Sequence, residues 1–195
     1  RLGIVREGRV RATLVKALGA CADPRHLDLV SALFSDPDAR VRANAVEGIG
    51  AYASSEVAEM LLPYLEDPSP RVRANTARVL LKFNRGRALA AFRALAHSED
   101  AKSRASAAFA LGEVADTASL ALLFELAQDG HEVVRRNAID ALARHGKQAE
   151  TGLVTLLASP VAAVRAGACR GLARVGTKTC WPRLLEQLED PDGGV

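Results

Sequence analysis

The chain has 195 residues, with 26 Lys and Arg against 23 Asp and Glu, a formal charge of +3 and a pI near 9.0. Apolar residues make up 49%, much of it alanine and leucine, and aromatics only 4%, which leaves few side chains on which bases could stack. No run nears the roughly 18 uninterrupted apolar residues of a membrane span, and no charged-then-apolar leader opens the sequence. Cys21, Cys169 and Cys180 are odd in number and lack C-x-x-C spacing, which points to reduced thiols in a cytoplasmic setting rather than to disulfides or a metal site.

In chain order, residues 1–22 supply one helix, VRATLVKALG from Val10. Residues 23–53 read as LDLVSALF from Leu27, an Asp36-Pro37 turn, then VRANAVEGIG from Val41. Residues 54–84 repeat the plan with VAEMLLPYL from Val57, Asp67-Pro68 and VRANTARVLL from Val72. Residues 85–115 give ALAAFRAL from Ala88, Ser98 at the turn and SRASAAFALG from Ser103. Residues 116–146 give SLALLFELA from Ser119, Asp129-Gly130 and VRRNAIDALA from Val134. Residues 147–176 give TGLVTLLA from Thr151, Ser159-Pro160 and VRAGACRGLA from Val164. Residues 177–195 start another unit with CWPRLLEQL from Cys180 and Asp190-Pro191, as a segment cut from a longer array would.

One position is fixed throughout: Arg11, Arg42, Arg73, Arg104, Arg135 and Arg165, at intervals of 31, 31, 31, 31 and 30. A fixed period in this range marks a stacked repeat array, in which each helix pair buries its apolar face only against its neighbours. Apolar or small residues three, four and seven positions after each arginine place one stripe along the second helix. Proline at the turn suits the first helical position, and the Asp or Ser before it can cap. Gly50, Gly112, Gly146 and Gly176 read as helix stops.

This unit of helix, D-P turn and V-R-x-x-A-x-x-A-L-G resembles a HEAT repeat, most closely the short HEAT-like type of phycobilisome lyases, over essentially the whole chain. The resemblance implies an all-α, right-handed α-α superhelix of stacked antiparallel helix pairs, with second helices on the concave wall. It also implies that the ladder arginines bond the turn acids Asp36, Asp67 and Asp129 of their own or a neighbouring unit, more weakly where Ser98 and Ser159 replace the acid. Six positive charges are then absorbed by architecture, and the excess charge loses much of its force as a nucleic-acid signal.

Two columns on the second helices are the candidates for a partner. The uniform one, two residues after each arginine, contains Asn44, Asn75 and Asn137, whose amides can bond an extended peptide or reach across to the adjacent repeat. The varied one contains Arg78, Phe109, Asp140 and Arg170, followed one turn later by Lys82, Arg144 and Arg174; Arg136 stands beside it. Varied columns suit a tuned surface, and an exposed aromatic suits an interface anchor, although Phe109 could equally tuck inside. The expected partner is therefore a protein or peptide bound on the concave wall, without cofactor or metal. A second reading is polyanion binding through Arg78, Lys82, Arg85 and Arg87, or through Arg170, Arg174 and Lys178, against solvated helix ends as the plain alternative. A third is a subunit of a lyase-like enzyme. His131-Glu132 is similar to the His-Glu pairs that hold iron in HEAT-like deoxyhypusine hydroxylases, but here there is one pair and it precedes the arginine. The bias of arginine over lysine fits a bacterial source with a GC-rich genome. Trp181 is expected to pack on the preceding unit.

Overall fold

A computed structural model of the chain describes residues 7–21, 24–52, 54–114 and 116–195. Among them are twelve α-helices and no strand. They are α1 (Gly8–Cys21), α2 (Leu27–Ser31), α3 (Ala39–Ile49), α4 (Ser55–Leu61), α5 (Pro70–Leu80) and α6 (Arg85–Ala96). There follow α7 (Ala101–Leu111), α8 (Thr117–Leu126), α9 (Glu132–Arg144), α10 (Lys147–Leu156), α11 (Ala162–Val175) and α12 (Trp181–Glu186). Even-numbered helices are the first of each pair and odd-numbered helices carry the arginines. The expected repeat boundaries at Asp23, Ala53 and Ala115 lie outside the described residues, as do residues 1–6 and Ala22 of the opening part-unit. The contacts divide the chain into two compact bodies, residues 1–95 and 96–195. The fold is that of an all-α solenoid.

The arginine-bearing helices that follow a turn proline, α3, α5 and α11, begin two residues later than the proline rule predicts. The turn acid folds back on the chain: Asp36 Oδ1 accepts from the Asp38 N–H at 2.8 Å, and Asp67 Oδ1 from Ser69 N–H at 2.7 Å. That closed turn leaves residue 38 or 69 extended as the N-cap, with Pro37 and Pro68 inside the turn and not at the first helical position. The glycines also divide. Gly176 ends α11 at φ 69°, a left-handed stop that side chains resist. Gly50 and Gly112 are right-handed, and what they avoid is collision: an added Cβ at Gly50 would lie 2.8 Å from Val79 Cγ2.

In the first body α1, α3 and α5 lie side by side, with Val15, Val41, Val46, Ile49, Val72 and Leu80 buried against Val30, Phe34, Val57 and Leu61 of the outer helices. The seven-residue stripe therefore faces the core, as the spacing predicts. The α1 and α3 backbones meet directly, since a Cβ on Gly19 would stand 2.3 Å from Gly48 Cα. In the second body α7, α9 and α11 stack in the same way over Leu111, Leu123, Val134, Leu142, Leu153 and Leu172, all essentially inaccessible. Each such leucine contributes about 2 kcal/mol of transfer free energy.

Candidate functional site

The arginine ladder joins two units by two kinds of bond. Arg42 Nε and Nη2 grip both oxygens of Asp67, twenty-five residues on, at 2.8 and 2.9 Å, while Nη1 donates to the carbonyls of Asp36 and Pro37 in its own turn. Arg11 holds Asp36, Arg104 holds Asp129 and Arg165 holds Asp190 in the same bidentate way. The carboxylate partner of these four is thus in the following unit, and the residue six earlier, Asp36 for Arg42, Ser98 for Arg104 and Ser159 for Arg165, supplies a backbone oxygen. Burial alone would raise the Asp67 pKa, but the Arg42 guanidinium and the Ser69 N–H outweigh it and hold the carboxyl below its usual range. Asp36 and Asp129 follow the same balance with Arg11 and Arg104. At Asp190 the bond from Arg165 is the leading cause of the same lowering. Arg73 donates to the carbonyls of Asp67 and Pro68. Arg135 donates to those of Asp129 and Gly130, and the turn that follows carries Ser159 where an acid would stand.

The asparagine column is drawn into the stack. Asn44 Nδ2 donates to Ala12 O at 2.8 Å, Asn75 to Ala43 O at 3.0 Å and Asn137 to Ala105 O at 3.1 Å. Asn44 Oδ1 also accepts from Arg71, and Asn75 is buried. Of the two roles open to these amides, the reach across to the neighbouring repeat is the one the geometry fills, so they do not offer a free row to a peptide.

The varied column behaves differently. Phe109 is 58% exposed, which settles its direction outward. Arg144 lies over it, with Cζ 5.8 Å from the ring centroid and Nη2 donating to Phe109 O, and its Nε is 3.8 Å from Glu113. Arg174 pairs with Asp140. In the first body Arg78 is 3.9 Å from Glu47, and Lys82 lies exposed in the turn beyond α5. Arg85 and Arg87 belong to the first turn of α6, so the basic stretch is split between one helix end and the next helix start, where cations oppose the dipole. Arg170 and Arg136 border one groove of about 450 Å³ with Glu132, Ile139, Ala166 and Gly167.

Other expectations are placed as follows. Cys169 is half-buried and its thiol is pushed up by desolvation; Cys180 is the buried cysteine, and all three are free. Trp181 is 59% exposed, with Leu185 and Leu188 exposed beside it, and does not pack down as predicted. Their spacing of four and three residues gave the signal of a helical stripe, but not which side it faced. His131 occupies the N-cap position of α9 without a capping side-chain bond, and Glu132 opens the helix; no group of three or more potential metal ligands occurs among the described residues. No helix among the described residues is long and apolar enough to cross a membrane.

Family models describing HEAT repeats match residues 6–80, 27–104 and 89–151. The chain belongs to the HEAT-repeat family. Solved structures agree at the level of fold: this HEAT array is similar to an engineered protein at 20% identity and TM-score 0.51, covering 86% of this chain and 91% of that one. It is also similar to the complex of CpcE and CpcF of phycocyanin lyase from Nostoc sp. PCC7120 at 23% identity and TM-score 0.50, covering 85% and 71% of the two chains. Comparison with curated protein sequences finds no match.

Proposed function

We propose that this HEAT-repeat protein is a non-catalytic scaffold that binds a protein partner on the face formed by its second helices. The observation that carries the reading is the contrast between two columns on the same helices. The uniform column of ladder arginines and asparagines is engaged within the stack. In the varied column Phe109 is exposed under Arg144 and Arg170 is in solvent, Arg78 and Asp140 are half-exposed, and Arg136 is exposed beside the column. An exposed aromatic beside arginines is the composition of an interface hot spot. The contacts assigned to the partner are Phe109, Arg136, Asp140, Arg144, Arg170 and Arg174 on the second body; Arg78 and Lys82 are the candidates of the first body by itself.

The test is partner capture from cell extract by the full chain, compared with Arg78→Glu, Phe109→Ala, Arg170→Glu combined. Capture should be lost while the helical circular-dichroism signal is unchanged. Capture that survives this change but is lost on substituting exposed first-helix residues, such as Glu59→Arg with Ala121→Arg, overturns the choice of face. Polyanion binding predicts instead a steep loss of affinity for nucleic acid with salt. Ion pairing of Arg78 with Glu47 and the split of the Arg78–Arg87 stretch weigh against that alternative.

A further inference from the structure

Along the repeats, the residue after the ladder arginine is Ala12, Ala43, Ala74, Ala105 and Ala166, and the one exception is Arg136. The next position reads Thr13, Asn44, Asn75, Ser106 and Asn137, and the one glycine is Gly167. These departures meet at a single step. Where Asn137 of α9 reaches back to Ala105 O of α7, the equivalent residue of α11 is a glycine with no side-chain amide to donate, and the helix opposite bears a long cation. Ser159 adds to them: like Ser98 in an earlier turn it stands for the acid, here removing the carboxylate that would clamp Arg135 across the same step.

The result is the groove of about 450 Å³ between α9 and α11, bordered by Arg136 and Arg170 and lined by Ile139, Ala163, Ala166 and Gly167. Neighbouring cations on these helices are matched, Arg144 by Glu113 and Arg174 by Asp140. Arg136 and Arg170 are both exposed and make no hydrogen bond or ion pair among the described residues.

We propose that this groove is a binding site for an acidic peptide segment. Its carboxylate lies between Arg136 and Arg170, and a small apolar side chain beside it rests on Ile139 and Ala166. Guanidinium forks match carboxylate geometry in pairs, which a single lysine cannot do. Glu132 on the same rim repels a second close anion. It therefore favours a peptide with spaced acids over a nucleic-acid strand, whose charge is continuous. The inference rests on the scaffold reading and names the chemistry of the partner.

The test uses the whole chain and three fluorescent probes: a nonapeptide alternating Glu and Ala, its Gln counterpart, and an oligothymidylate. Polarisation at physiological salt should show binding of the Glu peptide only. Arg136→Ala with Arg170→Ala should weaken it about tenfold or more, as should Gly167→Asn, which fills the groove and restores the column. Lys102→Ala on α7 should leave it unchanged. Both alanine substitutions are at exposed positions, so the double variant reports even if Gly167→Asn misfolds. Undiminished binding in the double variant overturns the site. Tighter binding of the oligothymidylate, lost in the double variant, overturns the acidic-peptide assignment. If no probe binds while an Arg78→Glu, Phe109→Ala variant, which leaves the groove residues intact, still loses its partner, the groove is overturned and the scaffold reading stands.

Discussion

Between α3 and α5 the first body closes its step twice. Arg42 grips Asp67 through both oxygens, and the buried Asn75 amide donates to Ala43 O. Between α9 and α11 the second body has neither closure among the described residues: Ser159 stands for the acid and Gly167 for the amide. The same helix pair is thus stacked once with polar clamps and once by apolar packing over Ile139, Leu142, Val164 and Leu172. A repeat array can drop its polar fastenings at one step because each interface contributes its own share of stability. The dropped step is where a groove opens and two cations stay unmatched.

Breaking the closed step should cost most. Arg42→Ala leaves the Asp67 carboxylate buried without its guanidinium and should lower unfolding free energy by about 2–3 kcal/mol in urea titration. Arg135→Ala gives up only bonds to two carbonyls and should cost about 1 kcal/mol. Equal losses would show that the carboxylate clamp adds nothing and would erase the distinction.

Acid offers a softer probe of the same clamp. The folded-state pKa of Asp67 is lowered, so its contribution is complete above the unfolded value, about 3.9, and is lost as pH falls through the lower folded value. The urea midpoint of the parent should therefore drop more between pH 5 and pH 2 than that of Asp67→Asn. Parallel curves would place the acid sensitivity elsewhere in the chain. The smallest effect is expected from mending the open step. Ser159→Asp supplies Arg135 with a partly exposed partner and should raise stability by about 0.5–1 kcal/mol, read as a higher urea midpoint. A fall would mean that the turn cannot present an acid to Arg135.

The closed steps were legible in the sequence because periodicity reports stacking directly: Arg42, Arg73 and Arg104 could hold a fixed interval only in a repeated environment. The direction of the bonds was not. An aspartate six residues before an arginine is near it in sequence, yet its carboxylate meets the arginine twenty-five residues earlier, because only stacking decides which neighbour a side chain faces. The asparagines were ambiguous for the same reason, their acceptors being thirty-two residues away. Phe109 and Trp181 show a further limit, since helical spacing defines a stripe but exposure depends on what covers it. The groove was written in the sequence as two breaks in otherwise regular columns, at Arg136 and Gly167. It becomes readable as a site only when the stack brings those breaks together.

The contact between Gly19 and Gly48 carries a consequence for how such a chain could be shuffled. The positions equivalent to Gly19 are Gly50, Leu81, Gly112, Ala143 and Ala173, and those equivalent to Gly48 are Ala17, Val79, Ala110, Ala141 and Gly171. A duplicated or transplanted repeat that brought Leu81 or Val79 into the first step would drive a branched side chain into bare backbone. The units share a blueprint, but at this crossing the first step admits only residues without a bulky side chain.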